Sequence, residues 1–178
     1  MKAYLVVTIT CPDRPGIVER ITEAMSEFSA NWEESRLSRL GGDFAGIVRI
    51  SVPQEQAEGL AGAIRALADD EFTVGVKIAE QADSAAGQVD SLYELRLAGA
   101  DHEGIVHRVS SHLADQGVNV ENLETEVSRA PVSASPLFHM EAQIKVPAAV
   151  SVSDLRASLA HIGEELGVDI DLGPVGDG

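Results

Sequence analysis

Basic residues are scarce in this sequence. Lysines and arginines number 13 against 29 aspartates and glutamates, which leaves a formal charge of −16 over 178 residues. A surface that acidic repels phosphate backbones and anionic lipid, and no local basic patch is visible to offset it, so direct contact with nucleic acid or a membrane surface is not expected. Cysteine occurs once, as Cys11, which rules out an internal disulfide framework and fits a reducing compartment. Long apolar runs are also missing. The opening MKAYLVVTIT turns polar at Thr8, too early for a membrane span or a signal-peptide core, so the expected location is the cytoplasm. Catalytic signatures are absent as well: there is no GxxxxGK phosphate loop, no GxSxG elbow, no HExxH and no paired-cysteine motif. What is present is a 44% share of hydrophobic residues, enough for one good core or two small ones in a soluble globular chain.

The chain repeats itself. Asp13, Gly16, Ile17, Val18 and Arg20 recur as Asp101, Gly104, Ile105, Val106 and Arg108, and Asn31 recurs at the same offset as Asn119. Further on, Val52-Pro53 returns as Val146-Pro147 only if the second copy is longer, and the turn-rich Arg129 to Pro136 (RAPVSASP) supplies the insertion. Two copies of one unit are therefore expected, at residues 1–80 and 91–178. The polar Gly/Ala/Ser-containing stretch Glu80 to Asp90 reads as the linker between them.

Each copy carries the same order of patterns. Leu5, Val7 and Ile9 alternate with Tyr4, Val6 and Thr8 as in a strand; Ile17, Ile21, Ala24, Met25 and Phe28 then fall on one helical stripe, predicting a helix from about Gly16 to Phe28. Gly41-Gly42-Asp43 separates two strand-like stretches as a hairpin turn. A second stripe (Ala57, Leu60, Ala61, Ile64, Leu67) and a strand over Phe72 to Ile78 close the first copy. In the second copy Tyr93, Leu95 and Leu97 form the strand, Ile105, Val109 and Leu113 the helix, and Gly117 stands where a helix ends. Phe138 to Val146 alternates as a one-sided strand, Leu155, Leu159, Ile162 and Leu166 make the second stripe, and Val168 to Leu172 the last strand. The fold class is α+β: two ferredoxin-like βαββαβ sandwiches, each an antiparallel four-stranded sheet with two helices on one face. The helix-free face of the first sheet would carry Tyr4 and Val6, so the other half or a second chain is expected to cover it, an isologous homodimer being the commonest arrangement.

A strand ending in Asp-x-x-Gly-Ile-Val, a helix, and an Asn soon after it resemble the ACT domain, a small βαββαβ module that binds amino acids and regulates other proteins. Both copies match. The tandem, with TCPDRPGIV in the first copy and PLFHMEA in the second, is most similar to ACT-domain transcriptional regulators of glycine metabolism. The resemblance implies a ligand site built from the first strand-to-helix loop and the start of the second strand, often across an interface between two domains. It falls on Asp13, Gly16, Ile17 and Asn31 in the first copy, and on Asp101, Gly104, Ile105 and Asn119 in the second. A glycine lets the backbone approach a ligand, free helix amides suit a carboxylate, and Asp or Asn oxygens accept from an ammonium group. The implied function is regulatory and non-catalytic, with a small amino acid as ligand, a partner protein as receiver and no cofactor. A ligand-free dimerisation module, or a regulatory subunit of a separately encoded enzyme, is the alternative.

Each feature also has a plainer reading. Asp13 can cap helix amides with Pro15 at the first helical position, and Glu103 in place of Pro15 suits the helix dipole. His102 stands where the first copy has Arg14, so the two loops need not bind the same ligand. Cys11 ahead of a helix start is either a redox sensor with a lowered pKa or simple packing. His102, His107 and His112, spaced by five, spread around a helix and are not expected to hold a metal. Glu33-Glu34, Glu121, Glu124 and Glu126 read as a solvated strand face, with docking of a basic partner as the alternative.

Overall fold

In the computed structural model, which describes residues 1–79, 90–130 and 134–175, strand β1 (Lys2–Pro12) buries every second residue. Ala3, Leu5, Val7, Ile9 and Cys11 are the buried set, as a strand with one covered face requires. Helix α1 (Ile17–Met25) lays Ile17, Ile21 and Met25 onto that face. It is shorter than the stripe suggests: the Phe28 N–H bonds to the Met25 carbonyl at 3.0 Å in a closing turn, and Phe28 packs on the core from outside the helix. Strands β2 (Asn31–Leu40) and β3 (Asp43–Pro53) meet in a two-residue turn whose residues, Gly41 and Gly42, both have positive φ, at 63° and 99°. That is the backbone a tight hairpin needs and side chains resist. A short 3₁₀ turn leads into α2 (Ala57–Arg65), and β4 (Thr73–Ala79) ends the unit. The sheet order is β2-β3-β1-β4, antiparallel throughout.

The second unit repeats this order with its own ends. Strand β5 (Ser91–Ala100) precedes α3 (Ile105–Asp115), which buries Ile105, Val109 and Leu113. Gly117, at φ 68°, terminates it: its N–H bonds to the Ala114 carbonyl and that of Val118 to the Leu113 carbonyl, both at 2.9 Å. This paired arrangement is the Schellman motif. Strands β6 (Asn119–Arg129) and β7 (Pro136–Val146) follow, then α4 (Val152–Leu166), capped by the Ser151 hydroxyl and closed by left-handed Gly167, and β8 (Val168–Pro174). The order β6-β7-β5-β8 matches the first sheet. Each unit has its own apolar core, and the chain divides into Met1–Ser84 and Ala85–Gly178. Of the expected linker only Asp90 lies within the described residues, and the expected insertion does supply the β6–β7 loop, with residues 131–133 outside them.

Two features of this topology matter for the site. β2 is antiparallel to β3 and β3 to β1, so β2 runs in the same direction as β1, and β2 begins at the end of the sheet where β1 also begins. In addition, both second strands bulge at the same place. The register shifts between Trp32 and Glu34 in β2 and between Val120 and Asn122 in β6, which makes Glu33 and Glu121 the inserted residues.

Candidate functional site

The first loop, Asp13 to Gly16, is tied down at several points. The Asp13 N–H donates to the Gly42 carbonyl at 2.9 Å, and its carboxylate pairs with Arg39 Nε at 2.8 Å. Arg14 reaches Glu71 at 3.1 Å. Gly16 is the N-cap of α1 at φ 92°, with no side-chain cap on the helix amides. The capping reading of Asp13 is therefore corrected. The left-handed glycine swings the chain so that the carboxylate faces the β2–β3 hairpin, and Pro15 precedes the N-cap instead of occupying the first helical position.

The second loop has the same skeleton. The Asp101 N–H donates to the Pro136 carbonyl at 3.1 Å, and Gly104, at φ 90°, caps α3 with no side-chain hydrogen bond. Ile17 and Ile105 are buried anchors beneath the two loops. Asp101 differs from Asp13 in having no ion pair among the described residues. His102 replaces Arg14 and acts differently. Its Nδ1 lies 3.0 Å from the Glu103 carbonyl oxygen and its Nε2 2.8 Å from that of Leu166, at the end of α4. A carbonyl only accepts, so both contacts are hydrogen bonds only when both ring nitrogens carry protons. These two bonds, to Glu103 first and Leu166 second, raise the His102 pKa, with the Asp101 charge adding a smaller push.

The paired arginines of the repeat hold the framework together. Arg20 Nη2 donates to the Leu67 carbonyl at 2.8 Å and to Asp69 at 2.9 Å, and its guanidinium lies 4.7 Å from the Phe72 ring centre. The hydrogen bond from Arg20, helped by the Glu71 and Phe72 amides, holds the Asp69 carboxyl below the usual carboxylate range. Arg108 repeats the tie with Glu165 at 3.0 Å. Both link the first helix of a unit to the far end of the second.

Asn31 and Asn119 are not beside these loops. Asn31 is level with Ser51, itself opposite Tyr4, whereas Asp13 follows Pro12, eight positions further along β1 or about 25 Å at ~3.3 Å per residue. Asn119 is likewise level with Lys145 and Leu92, at the far end of β5 from Asp101. A single unit brings Asp, Gly and Ile together and leaves its Asn at the opposite edge.

Around each Asn the structure gathers a group that the strand pattern conceals. Asn119 Nδ2 donates to Glu121 Oε1 at 2.6 Å. In the first unit the Ser51 hydroxyl and the Asn31 amide both bond to the Glu33 carboxylate and hold its pKa low, the first more strongly, against the cost of desolvation. Lys2 is 3.9 Å away. Glu33 and Glu121 are thus bulge residues with local partners, exposed like Glu34, Glu124 and Glu126 but outside the alternation of their strands.

The other candidates resolve into packing. Cys11 is 2% exposed, and burial pushes its thiol pKa up. The sensor reading required a lowered pKa, so it is corrected to packing. His112 Nε2 is 2.7 Å from the Ser158 hydroxyl, bridging α3 and α4. No helix among the described residues is long and apolar enough to cross a membrane.

Comparison with known proteins agrees with the fold. One ACT domain family model matches residues 3–77 and a second ACT domain model matches residues 102–173. The chain belongs to the ACT domain family. It is 42% identical over 75 residues to a UPF0237 protein of Methanopyrus kandleri, spanning 42% of this chain and 77% of that protein. It is 48% identical over 48 residues to the glycine cleavage system transcriptional repressor of Escherichia coli, a match spanning 27% of this chain and only 25% of the repressor. Among solved structures, an unknown protein from Galdieria sulphuraria superposes with a TM-score of 0.84 at 34% identity, covering 99% of this chain and 100% of that one. As a tandem of ACT domains, the chain is built from regulatory modules.

Proposed function

We propose that this tandem ACT protein is a non-catalytic regulator that binds a small amino acid at its β1–α1 and β5–α3 loops and signals to a partner protein controlling amino-acid metabolism. One observation carries the reading. In both units the helix after the loop starts on a left-handed glycine without a side-chain cap, which leaves first-turn amides directed at the loop and open to a carboxylate. The match to a glycine cleavage repressor supports transcriptional control as the output and a small amino acid as the signal. The charge of −16 favours a protein receiver over DNA. Because each unit keeps its Asn far from its own loop, a site using both draws the Asn from an adjoining ACT unit, which fits a homodimer.

Isothermal calorimetry of the full chain against the twenty amino acids tests this. The expected outcome is saturable binding of one small amino acid at micromolar to millimolar concentration, weakened by Asn31→Ala or Asn119→Ala. No heat from any of the twenty at millimolar concentration overturns it. The Arg39–Asp13 ion pair favours a second reading for the first loop, in which its carboxylate is structural and only the second loop binds. Binding lost in Asp101→Ala but retained in Asp13→Ala is the signature of that asymmetry.

A further inference from the structure

The helix-free faces of the two sheets have opposite charge. Residues in register across neighbouring strands share a face, so the rows can be read directly. In the first sheet one row runs Glu34, Arg49, Val6, Lys77 and the next Arg36, Ile47, Thr8, Gly75. Three basic residues thus meet one acid, beside the half-buried Tyr4 and Val6 and the 44% exposed Ile47. Arg49 stacks on Tyr4 at 4.5 Å from the ring centre, while Arg36 and Lys77 form no ion pair among the described residues. In the second sheet the matching rows run Asn122, Gln143, Glu94, Gly173 and Glu124, Glu141, Arg96, Asp171, and the next row adds Glu126, His139, Ala98 and Asp169 where the first sheet has the uncharged Ser38, Ala45, Thr10 and Thr73. Arg96 is spent on Glu94 at 2.8 Å and Glu141 at 4.0 Å, and among the described residues no cation pairs with Glu124, Glu126, Asp169 or Asp171.

We propose that the basic, partly apolar open face of the first sheet is a docking surface for the acidic open face of the second sheet of another copy of this chain. The proposal rests on the homodimer reading above and specifies its contact. Pairing like faces would set Arg36, Arg49 and Lys77 against themselves, or the six acids against themselves, and like-charge juxtaposition opposes association. Unlike faces neutralise each other and cover Tyr4, Val6 and Ile47. A free polyanion suits the basic face poorly, since the rest of the chain repels it. A second copy brings the complementary surface at equal concentration.

Sedimentation equilibrium of the full chain tests the contact with three proteins: wild type, Arg36→Glu/Lys77→Glu, and Glu124→Lys/Glu126→Lys/Asp171→Lys. Wild type is expected to self-associate, and each variant alone to associate at least tenfold more weakly. An equimolar mixture of the two variants restores association, because the reversed faces are then complementary. Melting followed by circular dichroism checks that the variants fold. Should either fail to, salt decides: raising NaCl from about 0.05 to about 0.5 M weakens wild-type association if the charged faces meet. Association unaffected by salt and by both reversals overturns the proposal while leaving the homodimer standing. Wild type that stays monomeric at every concentration overturns both, and the calorimetric reading of the loops stands or falls separately.

Discussion

At the residue scale His102 is the most pH-sensitive contact near the site. Its two carbonyl partners require the doubly protonated ring, and its pKa lies above the ordinary 6.5. The sign follows from linkage: a group whose folded pKa is raised contributes its full stability below the unfolded pKa and loses it as pH rises through the folded value. The tie between the second loop and the end of α4 is therefore expected to hold below pH 6.5 and to fade as pH rises through the raised folded value. The melting temperature of wild type should exceed that of His102→Ala most at low pH and converge on it as pH rises, and an NMR titration of the ring should give a midpoint above 6.5. A gap that does not depend on pH contradicts this. None of it was legible in ADHEGIVHR, where the histidine stands among polar neighbours and its second partner is 64 residues away. The repeated Asp-x-x-Gly was legible as a loop, but the direction of the Asp13 carboxylate was not, because Arg39 reaches it from another strand.

At the scale of elements, two helical glycines separate propensity from packing. Gly62 in α2 has open space where a Cβ would go, whereas at Gly163 in α4 a Cβ would lie 2.7 Å from the Val168 carbonyl oxygen. Alanine gains up to about 1 kcal/mol over glycine in a helix interior. Gly62→Ala should therefore raise stability by up to that amount. Gly163→Ala should lower it by about 1–3 kcal/mol, the usual range for overpacking, because α4 must shift away from β8. Urea titrations of both variants check the pair, and equal shifts of the same sign would refute the distinction. The elements themselves were readable from period and turn chemistry: Gly41-Gly42 marked the first hairpin and Gly117 the end of α3. The bulges were not. A bulge adds one residue without changing the composition of a strand, so Glu33 and Glu121 pass for ordinary members of an alternating run until the register is seen. The separation of each Asn from its loop was hidden for a related reason: it depends on the direction of β2 and β6, a property of the whole sheet.

At the scale of the molecule, charge is the governing quantity. Composition gave the total of −16 but not its distribution. Arg36, Arg49 and Lys77 are far apart in sequence, and only strand register assembles them on one face. That small basic area is outweighed by the rest of the chain, so no mobility shift with duplex DNA is expected at physiological salt; a shift surviving there would refute direct repulsion from nucleic acid. The division into two compact units also gives Cys11 a use unrelated to redox chemistry. The only thiol in the chain is shielded beneath the first unit, and its raised pKa slows attack on any reagent. Its labelling rate in intact protein thus clocks the opening of the first unit alone. With the second unit silent to the same reagent, the chain carries its own probe of whether an amino acid that slows the clock acts on the half that contains it.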